Sequence, residues 1–161
     1  MNSFSFNAAA INAREVVPGA APLRFRAALV AALKADAGVA ATVGAKVFPG
    51  RVPENVALPA IIWQVVSLPR DHHLGGTAGV ARARVQFSAI AKTAADCEVA
   101  AESLRQLLDG FTGRLPGGVV VLETNLLDER DMSDAPDDGS DAGVFRTSQD
   151  YFFLFREPPA R

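Results

Sequence analysis

Two runs of strand-forming residues dominate the pattern of apolar and polar positions, and both fall within residues 60–91. The first run, Ala60–Ser67, is almost continuously apolar, as in a strand covered on both faces. The second run alternates with period two, which predicts a half-buried strand. Its apolar positions are Ala83, Val85, Phe87 and Ala89, and its polar positions are Arg82, Arg84, Gln86 and Ser88.

The segment between these runs, residues 71–79, is polar and rich in glycine. Asp71, Gly75, Gly76 and Gly79 do not favour a continuing strand, so the pattern predicts a long hairpin loop and not a tight two-residue turn. On the polar face of the second run, Arg82 and Arg84 have two interpretations, contact with phosphate or pairing with acids such as Asp150 on a neighbouring strand or subunit, and pairing is the preferred prediction.

Helical periodicity occurs twice. Phe25, Leu29 and Leu33 recur at intervals of four after Pro22, which predicts an amphipathic helix ending near Ala35. Residues 39–43 are predicted to add one further turn. The second helix begins at Thr93, with Asp96 placed as in a capping box, and ends at Gly110. Its apolar face is formed by Cys97, Ala101, Leu104, Leu108 and Phe111.

The remaining elements are strands. Residues 46–48 predict a short strand, residues 119–127 a main strand and residues 144–155 a long aromatic strand, with an acidic loop over residues 128–141 between the last two. The order predicts an α+β fold, in which a mixed or antiparallel sheet of about four main strands carries two helices packed on one face. We expect an N-terminal arm over residues 1–21, one domain over residues 22–156 and a tail over residues 157–161.

Composition limits the function classes. The chain has 161 residues, of which 49% are hydrophobic and 21% charged, and this balance is typical of a packed domain. A net charge of -2 argues against a protein that coats nucleic acid. The single cysteine, Cys97, excludes an internal disulfide and is interpreted as a small core residue. No apolar segment approaches the ~20 residues that span a bilayer, and no signal peptide is recognised.

Three segments are candidate chemical sites. His72 and His73 are adjacent, so in a strand they point to opposite faces and do not share one metal ion. The glycines after them lack phosphate-loop spacing and lead into a strand. The acidic loop fails the EF-hand register, because Pro136 and Phe145 stand where calcium ligands are needed. We therefore expect no catalytic residue, no cofactor and no metal site.

The order of several segments carries a resemblance. These are VFPGRVPENVALPAIIWQVVS, HHLGG with ARVQFSAIA, AESLRQLLDGF, LLDERDM and a closing aromatic strand. Over roughly residues 23–156 the chain resembles the tail-completion, or tail-terminator, family of long-tailed phages and prophages. The arm, residues 1–21, is longer than the family pattern. The resemblance implies an α+β protomer without catalytic residues that forms a hexameric ring.

The resemblance also implies partners and a place of action. The ring caps the tail-tube protein and joins the head–tail connector or stopper protein, DNA passes through its lumen without specific binding, and no membrane is involved. The protein would be made in the host cytoplasm and act in the virion tail. Two alternatives stay open. The first is another head–tail joining protein, such as a stopper, or a minor tail protein. The second is a small ligand-binding domain or enzyme whose pocket lies under the HHLGG loop.

Two segments are predicted to contact partners. They are the glycine-rich loop, through Asp71, His72, His73 and Leu74, and the start of the acidic loop, through Asp128, Glu129, Arg130 and Asp131. Because a DNA channel should not attract phosphate, part of the acidic loop is also predicted to line the channel or its mouth. The alternative is a solvated loop on the outside of the ring.

Overall fold

The computed structural model describes residues 21–73, 76–132 and 143–156, with side chains described over residues 25–70, 79–132 and 143–156. Within these ranges the fold is α+β. The helices are α1 (Ala21–Ala35), α2 (Ala37–Val43) and α3 (Ala94–Leu108). The strands are β1 (Val47–Pro49), β2 (Ala60–Ser67), β3 (Arg70–His73), β4 (Gly76–Ala91), β5 (Gly113–Arg114), β6 (Val120–Asp131) and β7 (Phe145–Arg156).

The described strands form one mixed sheet in the order β1-β2-β4-β7-β6-β5, and β3 pairs with β4 beside this path. Only β1 and β2 run parallel, whereas every other described pair is antiparallel. The centre is the pair β4 and β7, whose register runs without a break from Val80 opposite Arg156 to Ala91 opposite Phe145. This long uninterrupted ladder fixes which side chains share each face of the sheet.

All three helices pack on one face of the sheet. The alternation of β4 places Ala83, Val85 and Phe87 on this face, where each is buried. Helix α3 contacts the same face, since its Cys97 thiol donates to the Ala89 carbonyl oxygen at 3.4 Å. Leu104 is fully buried, which confirms the predicted core face of this helix.

Helix α1 is held to the sheet by aromatic packing. The Phe25 ring stacks on Phe155, with centroids 4.1 Å apart, and meets Phe153 edge to face at 5.5 Å. Such pairs add to the free energy gained by removing apolar surface from water. The amphipathic pattern of residues 22–35 therefore identified a helix whose apolar side faces the last strand.

The predicted cap of α3 is confirmed. The Thr93 hydroxyl accepts from the Asp96 backbone N–H at 3.1 Å and donates to the Asp96 carboxylate at 2.7 Å. Replacing Thr93 by Ala is expected to lower the unfolding free energy by about 1 kcal/mol, because one backbone donor in the first turn loses its partner. Urea titration measures this loss, and Thr93→Ser, which keeps the hydroxyl, is the control. Equal losses in the two variants would contradict the cap.

Several predicted boundaries are wrong. The long hairpin loop is wrong because residues 70–73 form β3, which pairs with β4 so closely that His73 lies opposite Gly76. The acidic loop was placed too early, because β6 continues to Asp131 along β7. The additional turn over residues 39–43 is a helix of its own, α2, capped by Asp36 through the Val39 backbone N–H.

Candidate assembly surfaces

The two predicted contact segments lie in strands and not in loops. Asp71, His72 and His73 belong to β3, and Leu74 lies outside the described residues. Residues 128–131, from Asp128 through Glu129 and Arg130 to Asp131, form the end of β6. Strand residues hold their backbone in a fixed register, so each segment presents a defined surface.

The structure does not bring these two segments together. His72 pairs with Thr77 near the start of β4, whereas Asp128 pairs with Asp150, which in turn pairs with Gln86 nine positions further along β4. At the rise of a β-strand the separation is about 30 Å. The two predicted segments therefore lie toward opposite ends of the sheet.

Exposed charges are distributed unequally between these ends. Among the side chains that the structure describes near Val80 and Arg156, the exposed charged ones are mostly basic, namely Arg70, Arg82, Arg114 and Arg156, with Glu123 among them. Near Ala91 and Phe145 they are mostly acidic, namely Asp96, Glu98, Asp128, Glu129 and Asp131, with Lys92 and Arg130 among them. The two ends thus differ in the sign of most of their described exposed charge.

The face without helices carries a polar network. Asp150, with only 3% of its side chain exposed, pairs with Arg84 on β4, while Arg130 on β6 approaches its Oδ2 at 3.5 Å. Asp128 pairs with the same Arg130 at 2.8 Å. The predicted pairing of Arg84 with Asp150 is confirmed. The network links three adjacent strands through charged side chains.

Further hydrogen bonds extend this polar face toward β2. The hydroxyls of Ser88 and Ser148 lie 2.6 Å apart, and Gln64 donates to Gln86 at 2.7 Å. Because each bond joins directly opposed residues, they hold the sheet register from the side that the helices leave uncovered.

A second polar network lies on the helix-covered face. The Gln149 amide, fully buried, donates to the Ala101 carbonyl oxygen at 3.0 Å and to the Glu129 carboxylate, and accepts from the Tyr151 hydroxyl at 3.0 Å. It thus joins α3, β6 and β7. Sequence reasoning missed Gln149, although its odd-numbered position places it on the same strand face as Tyr151, Phe153 and Phe155.

Burial raises the pKa of the Tyr151 hydroxyl well above its ordinary value of 10.0, and the nearby Asp109 and Glu129 carboxylates add to the effect. The folded state therefore keeps a phenol proton that the unfolded chain loses above pH 10. The protonated Tyr151 hydroxyl therefore makes its full contribution to the unfolding free energy below pH 10. Above pH 10 this contribution declines by up to about 1.4 kcal/mol per pH unit.

Stability measured by urea titration is expected to fall faster with pH above 10 in the parent protein than in Tyr151→Phe. The chain contains one tyrosine, so its phenolate absorbance reports this group alone. Ionisation should coincide with unfolding. A tyrosine that titrates near pH 10 in protein that is still folded would refute the stated burial effect.

A wide groove runs beside α3 near the acidic end of the sheet. Its volume is about 1090 Å³, and its lining includes Val99 and Glu98 of α3, Glu129 and Asp131 of β6, and Phe145 of β7. Val99 and Phe145 are 55% and 38% exposed. The groove therefore combines apolar anchors with a negative rim.

Comparison with known proteins bears on what these surfaces serve. The family described as tail completion protein gp17 has a model that matches residues 27–152. The chain belongs to this tail completion family. Tail completion proteins are structural proteins of the phage tail, so the chain is a tail protein of a phage-type particle.

A solved structure gives a likeness in fold. One chain of a structure described as the virion of a native gene transfer agent particle matches with a TM-score of 0.66 and 21% identity, covering 87% of this chain and 100% of that chain. Among curated proteins, none matches the sequence. The tail completion fold is therefore shared with a virion component despite low sequence identity.

Within the described ranges, no helix is long and apolar enough to cross a membrane. Over the same part of the chain, histidine, cysteine, aspartate and glutamate side chains do not gather in threes where a metal ion could bind.

Proposed function

We propose that the protein is the tail terminator of its particle, a homo-hexameric ring that caps the finished tail tube and joins it to the head connector or stopper protein. The match to the tail completion family over residues 27–152 carries this proposal. The likeness to a chain of a gene transfer agent virion supports a place in a tailed particle. Assembly would take place in the bacterial cytoplasm.

The geometry supports a protomer with unlike contact surfaces. A closed ring needs two different patches on each copy, and a protein between tube and head also needs two different ends. The β3 end and the β6 end lie about 30 Å apart along the sheet and carry mostly basic and mostly acidic exposed side chains. We assign the partner contacts with tube and connector to these ends.

Deletion of the gene from a particle-producing strain tests the function. Without a cap, tube growth has no defined stop, so electron microscopy is expected to show tails of irregular length detached from filled heads. Loss of a stopper or other joining protein would instead leave tails of normal length. Uniform tails in the deletion strain would contradict the terminator function.

We further propose that part of the acidic segment 128–141 lines the DNA channel or its mouth. Duplex DNA is held by basic surfaces through its phosphates, and a channel for passage should lack such attraction. Asp128, Glu129 and Asp131 supply negative charge at this end, and the following residues 133–142 add more acidic positions in the sequence. DNA would pass this wall without specific binding.

Charge reversal at Asp134, Asp137 and Asp138 tests the channel. Tails carrying lysine at these three positions are expected to assemble but to deliver DNA poorly, measured as infective or transducing events per tailed particle. Asparagine at the same positions is the control, because it removes negative charge without attracting phosphate. Unchanged delivery by the lysine variant would argue for a position outside the channel.

A further inference from the structure

The described residues cover the outer edge of β6 along only part of its length. Within the described residues, β5 pairs with Val120 and Val121, after which Gly110 donates to the Thr124 carbonyl oxygen at 2.9 Å and Asp109 accepts from Leu126 N–H at 3.1 Å. Beyond Leu126, the part of the chain that the structure describes places no strand on this side. An uncovered strand edge offers backbone donors and acceptors to another extended segment.

Exposed apolar side chains concentrate around this edge. Six large hydrophobic residues in the described ranges are exposed, and four of them lie in the second half of β6, just after it, at the start of β7 or on the facing side of the groove. These four are Val99, Leu127, Met132 and Phe145. Leu127 is 52% and Met132 47% exposed. Such a cluster beside an open edge indicates a surface that another chain covers.

We infer that this edge binds residues 1–20 of a second copy, which add an extended strand outside β6. The inference rests on the proposed ring, which it deepens by naming one contact between neighbours. Pairing would follow residues 127–131, and alternate side chains of the added strand would enter the groove beside α3. Backbone hydrogen bonds would supply affinity, and the groove would select the side chains.

The sequence of the arm fits such a strand. Ser3, Phe4, Ser5 and Phe6 alternate between polar and aromatic residues, so both rings would point to the same face. No charged side chain occurs before Arg14, which matters because the edge carries three carboxylates, those of Asp128, Glu129 and Asp131. An uncharged segment meets this rim without repulsion, whereas an acidic one would not.

The length of the arm permits the contact. Phe25 of α1 packs on Phe155, and Phe155 pairs with Val121, so α1 begins near the end of the sheet opposite Asp131. The acceptor edge lies up to ten residues along β6, about 33 Å away on the same copy. Residues 7–20 can extend over at most about 50 Å, which reaches a neighbouring protomer in a ring. Each copy would then give one arm and receive one, as a heterologous contact requires.

Cross-linking between defined positions tests the partner of the arm. In the full-length protein with Cys97→Ala, Ser5→Cys is combined with Leu127→Cys and treated with a short bismaleimide. We expect a ladder of covalently joined copies on a denaturing gel. The matched control combines Ser5→Cys with Arg114→Cys, an exposed position at the opposite end of β6, and should give no ladder. The inference would be overturned by any of three results: cross-links within single chains, equal ladders from both cysteine pairs, or no ladder at all.

Substitutions in the arm give a second measurement. Phe4→Asp with Phe6→Asp should abolish the ladder and speed amide hydrogen exchange at residues 127–131. Ser3→Asp with Ser5→Asp adds the same charge to the opposite face of the arm strand. This variant is tested by hydrogen exchange alone and should keep residues 127–131 protected. Equal exchange in both variants would contradict the assignment of the rings to the groove. If gene deletion gives irregular tails but the cross-linking gives no ladder, the terminator function is supported and only the arm contact is wrong.

Discussion

Replacing Phe25 by alanine is expected to lower the unfolding free energy by about 3–5 kcal/mol, the range for truncation of a buried aromatic side chain. The residue is fully buried, and its ring contacts both Phe153 and Phe155 on the central strand β7. The truncation removes apolar contact and leaves a cavity between α1 and β7, and rigid neighbours on the sheet can close it only in part. Urea titration followed by circular dichroism measures the loss.

Phe145→Ala is the matched control for this prediction. It makes the same chemical change on the same strand, but the ring is 38% exposed. Its loss should be about 1 kcal/mol or less, since partly exposed side chains contribute less buried area. If Phe25→Ala costs no more than Phe145→Ala, α1 does not depend on the aromatic contact for its attachment.

The main elements were predictable because each had a strong local period. The alternation from Arg82 to Ala89 gave the central strand, and the four-residue spacing of Phe25, Leu29 and Leu33 gave α1. The four predicted main strands all occur as β2, β4, β6 and β7. What was missed is β3 and β5, which are short and lack an apolar period, so their pairing partners determine them.

The acidic end of β6 shows why charged residues misled the prediction. Local propensity disfavours a strand through residues 128–131, but β7 provides a partner for each position. Asp128 lies opposite Asp150, and this pair of like charges is accepted because Arg130 approaches both carboxylates and Arg84 pairs with Asp150. Those contacts depend on strand order, which no local pattern contains.

The segments that form the candidate surfaces were predictable from the sequence, but their positions in the sheet were not. The sequence identified residues 71–74 and 128–131 as parts of two predicted contact loops, yet their separation at opposite ends of the sheet follows from the pairing of β3 with the start of β4. Beyond Leu126 the described residues leave the edge of β6 unpaired, because β5 is short and pairs with only two residues of β6. Neither the separation of the two segments nor the unpaired edge can be predicted without knowing the register of the strand pairs.

The second large effect is expected at Arg84, the main partner of the buried Asp150 carboxylate. Arg84→Met keeps much of the apolar stem but removes the guanidinium, so Asp150 stays buried with Arg130 as its remaining cation at 3.5 Å. Loss of one partner of a fully buried pair typically costs 3–5 kcal/mol. Because the Arg84 side chain is 44% exposed, we expect about 2–3 kcal/mol, measured by urea titration.

Arg130→Met is the matched control, since it removes the same group from the same face of the sheet. Arg130 is 53% exposed, lies farther from Asp150 and also pairs with the exposed Asp128, so its loss should cost about 1 kcal/mol or less. Adding Asp150→Asn to Arg84→Met should restore part of the lost stability, because the buried charge is then gone. Strictly additive losses in this double-mutant cycle would show that Arg84 and Asp150 are not energetically coupled, and the network on the uncovered face would then contribute no specific link between β4 and β7.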